Sequence, residues 1–271
     1  MKVRILVGAL LALFLISTLY FGGYYYLTAI ALVSFAATYE VAHVITRKGY
    51  RPLVFPVYLF ALAYPFVYRF FGLTVLVIFY LFSIIVSICC SVFNGSLDAS
   101  IAVGTLLLCV YPLSLLLCML LVYAHFDRPI GLTAACMAFA APSCADMFAY
   151  FGGTFFGKHK LCAHISPKKT VEGAAFGLLG GIVFALLLIP LQRLWDSNVS
   201  WGILLALGVL CGLFGQIGDL FASIIKRWAG VKDFSSVFPG HGGMMDRIDS
   251  VLLCTPIVLC TFTILQLFGI Y

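Results

Sequence analysis

Charge is what this sequence has least of. Only 10% of its 271 residues are Asp, Glu, Lys or Arg, whereas 63% are hydrophobic and the mean hydropathy is +1.14. No soluble domain can hide that much apolar surface, so the composition defines a polytopic membrane protein. A disulfide framework is also missing. Of the ten cysteines, Cys89, Cys90, Cys109, Cys118, Cys211, Cys254 and Cys260 fall within apolar runs, where cysteine behaves as a small hydrophobe. No Cys/His spacing of a zinc site occurs, nor any repeat of fixed period, low-complexity segment or soluble domain. Nothing points to a nucleic-acid partner.

What is present is a series of apolar segments, at roughly 5–21, 24–45, 53–71, 73–93, 99–123, 130–156, 173–192, 201–225 and 249–270. The expected fold class is therefore all-α, with about nine transmembrane helices. Lys2 and Arg4 would suit the start of a signal peptide, but no small-x-small cleavage site follows, so the first segment reads as a retained helix. With the N-terminus inside, thirteen of the sixteen Lys/Arg residues fall on the inner side and only Arg69, Arg128 and Arg193 on the outer. This bias predicts a cytoplasmic N-terminus and an external C-terminus, and puts the polar clusters on the side where nucleotides are.

The few charges are concentrated. Residues 219–249 hold four of the ten carboxylates and four of the sixteen Lys/Arg residues. Asp219, Ser223, Lys226 and Arg227 share one helical face at i, i+4, i+7 and i+8, and Asp246 and Asp249 share another at i and i+3. Between them the Gly-rich link 239–243 lets backbone N–H groups approach a ligand. Carboxylates bind hard metal ions and neighbouring cations bind phosphates. A second cluster runs from Asp146 to Glu172. Asp146 recurs with Tyr150 and Gly153 on one face of an apolar segment, where a carboxylate costs about 2.5–3.5 kcal/mol and calls for a polar cavity or partner. Beyond it, Ser166-Pro167-Lys168-Lys169-Thr170 packs donors beside a helix N-terminus that Thr170 can cap, an arrangement suited to phosphate. Gly173, Gly177 and Gly180/Gly181 then form a small-residue face for close helix packing.

The first 125 residues read mainly as packing. Glu40 and His43 lie on one face and could pair in a structural role. Tyr24, Tyr25, Tyr26, Tyr64 and Tyr68 suit an aromatic belt. Pro56, Pro65 and Pro112 are candidate kinks whose freed carbonyls neighbours would satisfy. Asp98 begins a segment at the end favoured by the helix dipole. The expected division is thus a packing region at 1–125 and a catalytic region at 126–271.

The run Ser223-x-Ile-Lys226-Arg227-x4-Lys232-Asp233-x-Ser-x2-Phe238-Pro239-x-His241-Gly-Gly-Met-x-Asp246-Arg247-Ile-Asp249 resembles, without a gap, the signature of the phosphatidate cytidylyltransferases (CDP-diacylglycerol synthases). Ser166-Pro-Lys-Lys-Thr170-x-Glu172-Gly173 and Asp146-x3-Tyr150 are similar to the same family. The resemblance is specific over about 146–250.

It implies that CTP and phosphatidic acid give CDP-diacylglycerol and pyrophosphate with Mg²⁺, in a bacterial inner membrane with the site facing the cytoplasm. A homodimer is compatible with it. Both reactants are anions, so catalysis is charge neutralisation and positioning. Asp219 and Asp246 are the leading metal ligands, followed by Asp249 and Asp146. Lys226, Arg227, Lys232 and Arg247 would hold triphosphate or phosphatidate, with Ser223 beside them. Ser166, Lys168, Lys169 and Thr170 would form the opposite wall, and His241 would donate to phosphate. A CTP-dependent lipid kinase would use the same groups but transfer the γ-phosphate. A cation-coupled transporter would place its carboxylates near the midplane between repeated halves, and no repeat is present.

Overall fold

The computed structural model describes residues 2–93 and 99–270. Asp98 and the side chains of Lys2 and Arg4, all used in the readings above, lie outside the described residues. Among the described residues the helices are α1 (Lys2–Phe21), α2 (Gly23–Thr46), α3 (Val54–Phe93), α4 (Ala99–Leu108), α5 (Ser114–Ala124), α6 (Arg128–Phe156), α7 (Val171–Leu191), α8 (Trp201–Trp228) and α9 (Met245–Leu267). A π-helical turn, Cys109–Leu113, joins α4 to α5, so the two form one apolar span. The helical, integral-membrane class follows. Among the described residues, seven helices are long and apolar enough to cross a bilayer.

That number and the nine expected segments differ in two places. Of α1, whose side chains are described from Leu6 onward, the apolar part is Leu6–Phe21, and α3 carries two expected segments in one 40-residue element. A straight helix would separate Phe60 from Phe79 by about 28 Å. Their ring centroids are 5.0 Å apart, so the chain doubles back between them. The turn is at Gly72, whose φ of 78° breaks the helix in a region that favours glycine.

The helices form two compact units, residues 1–117 with 228–247 and residues 118–227 with 248–271. In the first, Tyr64 is fully buried, shares a 2.8 Å hydrogen bond with Ser34 and donates to the Leu116 carbonyl at 3.0 Å. It is a core residue and not part of an aromatic belt. Tyr26 is buried likewise, whereas Tyr24 and Tyr25 are exposed as a belt requires. At the π-helical turn, which contains Pro112, Tyr80 donates to the Cys109 carbonyl at 2.9 Å, so a neighbouring helix satisfies the interrupted backbone.

In the second unit the small residues of α7 do what their spacing predicts. A Cβ on Gly180 would meet Phe148 of α6, and one on Gly181 would meet the Gly208 carbonyl of α8. One element was not expected. Residues 160–170 form a small antiparallel hairpin, β1 (Lys160–Cys162) and β2 (Ser166–Thr170), directly before α7. Pro167 forbids helix here, and the extended backbone it favours pairs with β1.

Candidate active site

In the second unit, four elements bring their polar residues together. The reason begins with two glycines of α8. A Cβ on Gly215 would meet Pro142 of α6, and one on Gly218 would meet the Asp249 carbonyl of α9. These bare positions let α8 lie against α6 and α9, and the next residue after Gly218 is Asp219. Thr170 accepts a hydrogen bond from the Gly173 N–H at 3.1 Å, capping α7 as its residue type predicts. The cap fixes where β2 ends, and with it the reach of Lys169.

Lys169 Nζ stands 2.8 Å from Asp219 Oδ2, and Ser223 donates to Asp219 Oδ1 at 3.4 Å. One turn further along α8, Lys226 Nζ is 3.8 Å from Asp249 Oδ2, and the Ser250 N–H donates to Asp249 Oδ1 at 2.9 Å. The second pair is nearly dry, with side chains 9% and 11% exposed, against 23% and 30% for the first. Asp219 and Asp146 both lie close enough to act electrostatically on Asp249. Asp219, Asp249 and Asp146 therefore share this cluster with the ammonium groups of Lys169 and Lys226.

The donors are carboxylate oxygens, the type that hard divalent ions such as Mg²⁺ select, and in that sense the residues fit the ion. Among the described residues, no three Asp, Glu, His or Cys side chains stand close enough together to hold an ion as they are. Around the cluster, Lys168 and Arg227 are exposed, and Ser166 and Asp146 are half-buried. Tyr150 is 69% exposed, whereas Gly153 of the same expected face packs against Thr170.

The remaining candidates lie in the first unit. Asp246 organises the loop that precedes it: its Oδ2 accepts the N–H groups of Phe234 and Gly243 at 2.8 and 2.9 Å. Within that loop Phe238 and Gly242 pair across a tight turn, and Gly242 needs its φ of 78° and its missing side chain because a Cβ would meet Asp246. His241 is half-buried, and its Nδ1 is buried with no hydrogen-bond partner among the described residues. Lys232 and Arg247 are exposed.

Three residues have roles that the sequence reading missed. Glu40 is 3% exposed and, instead of serving His43, accepts from Ser235 Oγ at 2.6 Å and from the Met244 and Met245 N–H groups at 2.9 and 2.8 Å. The signal was available, since a carboxylate in an apolar span needs a partner. Gln216, three residues before Asp219, donates to the Ala174 and Gly212 carbonyls at 3.1 and 2.8 Å and ties α8 to α7. Glu172 accepts from the Lys158 N–H at 3.1 Å and contacts His159 Nδ1 at 2.6 Å, which anchors the linker leading into the hairpin.

Fold and cluster define a class: a helical membrane protein with a partly buried carboxylate–lysine cluster. Residues 2–265 match the family described as the Cytidylyltransferase family, and the chain belongs to it. Among curated relatives, it is 43% identical over 138 residues to a phosphatidate cytidylyltransferase of Staphylococcus aureus (strain COL) and 39% identical over 136 residues to one of Staphylococcus saprophyticus. In both cases the match covers 50% of this chain and 51% of the relative, so the chain spans about half the length of the curated relatives it matches.

Proposed function

We propose that the chain is a phosphatidate cytidylyltransferase, which joins CTP and phosphatidic acid to give CDP-diacylglycerol and pyrophosphate. The observation that carries this reading is the pairing of Lys169 with Asp219 and of Lys226 with Asp249 in a family of cytidylyltransferases. A phosphate oxygen of the lipid attacks the α-phosphorus of CTP in line. The bond from that phosphorus to the bridging oxygen breaks as pyrophosphate leaves. No covalent enzyme intermediate is required, so the protein's task is to hold two anions at reacting distance.

Lys169 and Lys226 are already held among carboxylates, which fixes their ammonium groups beside the place where phosphate charge must be offset. Lys168 and Arg227, the exposed chain neighbours of Lys169 and Lys226, would bind the incoming anions. Mg²⁺ bound by Asp219 and Asp249, with Asp146 nearby, would neutralise phosphate charge at that point. The other unit holds further expected phosphate-binding residues of its own: Asp246 shapes the loop that carries His241, and Lys232 and Arg247 are exposed. The positive-inside distribution supports a cytoplasmic N-terminus, an external C-terminus and a site facing the cytoplasm of a bacterial inner membrane. The test is incubation of purified protein with CTP, dioleoyl phosphatidate and Mg²⁺. CDP-diacylglycerol and pyrophosphate are expected. CDP accumulating with phosphatidate unconverted would mark a kinase, and no nucleotide turnover at all would favour a transporter.

A further inference from the structure

Glu40 lies near the end of α2, an apolar helix, about two hundred residues from the segment it serves. Its carboxylate is buried and receives three hydrogen bonds, from the Ser235 hydroxyl and from the backbone N–H groups of Met244 and Met245. Met244 immediately precedes α9 and Met245 is its first residue, at the end where N–H groups have no partner within the helix. A negative charge at that end is also favoured by the helix dipole. Glu40 therefore caps α9 from another helix. A Cβ on Gly243 would meet this carboxylate, so the bare residue there is what admits it.

The loop 234–243 is held from two sides. Asp246 grips Phe234 and Gly243 from the inside, and Glu40 grips Ser235, Met244 and Met245 from α2. We propose that Glu40 is a positioning residue for the cytidylyl transfer, fixing the loop and the start of α9 on which His241, Asp246 and Arg247 are carried. This rests on the functional reading above. An unpaired carboxylate in an apolar span would be costly, so Glu40 is held in place as firmly as it holds the loop.

Glu40→Gln preserves size but turns an NH₂ donor toward groups that are themselves donors. Ser235→Ala removes the loop's hydroxyl donor to Glu40, together with the longer 3.3 Å bond that the hydroxyl accepts from the Val237 N–H, and leaves α2 untouched, which serves if Glu40→Gln does not fold. The measurement is amide hydrogen exchange of peptides covering 234–248, with turnover of the same samples. In Glu40→Gln, exchange at Met244 and Met245 is expected to rise about tenfold or more, since charge-assisted hydrogen bonds are lost. The kcat is expected to fall on the order of 100-fold, the cost of a small misplacement, without recovery at excess substrate. Ser235→Ala should shift both readouts the same way by less. Wild-type exchange in Glu40→Gln, or in Ser235→Ala if only that folds, would overturn the hold on the loop. Faster exchange with wild-type kcat would show a brace for the fold alone and overturn the positioning role. If the wild-type protein makes no CDP-lipid, the functional reading fails by itself, and exchange, which needs no substrate, still decides whether Glu40 holds the loop.

Discussion

Asp219→Asn separates the chemistry of the cluster from its contribution to the fold. Asn keeps the size, one carbonyl oxygen and the contact with Ser223, but removes the charge that faces Lys169 at 2.8 Å. The two side chains are 23% and 30% exposed, between the surface pairs worth about 0–1 kcal/mol and the buried pairs whose disruption costs about 3–5 kcal/mol. Relief of repulsion on Asp249 offsets part of the loss, so the net change in stability should be on the order of 1 kcal/mol. The melting temperature should then fall by only about 2–4 °C. Turnover is another matter. Neutralisation of phosphate charge by a carboxylate-held cation is worth several kcal/mol, so the rate should drop by roughly 10³-fold or more. Initial rates of CDP-lipid formation and a thermal melt of the same preparation measure the two quantities. Turnover within tenfold of wild type and an unchanged Mg²⁺ dependence would refute the assignment of Asp219. A collapse of the melting temperature would show that Asp219 mainly supports the fold.

Lys169→Ala should lower activity by about 1–3 kcal/mol of binding or barrier, while exposed Lys168→Ala should cost less and be mimicked by high salt in the wild type. Full activity in the double mutant at ordinary salt would contradict the phosphate wall. Gly218→Val should push α8 away from the Asp249 carbonyl, costing about 1–3 kcal/mol of stability and most of the turnover, as read by melting and initial rate. For orientation, an impermeant thiol reagent added outside should label Asp196→Cys and miss Lys168→Cys and Lys232→Cys. Labelling of either lysine position would reverse the topology.

Much of this was legible because membrane helices obey simple patterns. Apolar length located the spans, and the glycine spacing of α7 located its packing face. The cap at Thr170 follows from residue type and position. The grouping of Lys226 with Asp249 was less legible, because the signature orders residues along the chain and not across α8 and α9. The bare Gly218 that brings those helices together carries no chemical mark of its own. Glu40 was visible as an anomaly, a carboxylate in an apolar helix, but its partners lie about two hundred residues away and two are backbone N–H groups, which no sequence pattern encodes. The hairpin at 160–170 was hidden because a three-residue strand leaves too little alternation to read.

The central claim is that the lipid phosphate attacks the α-phosphorus of CTP at this site. Purified protein in detergent with phosphatidate and Mg²⁺, given CTP labelled in either the α- or the γ-phosphate, tests it most directly. Label from the α-position should enter the lipid, and label from the γ-position should appear only in pyrophosphate. Lipid labelled from the γ-position, with CDP released, would contradict the account.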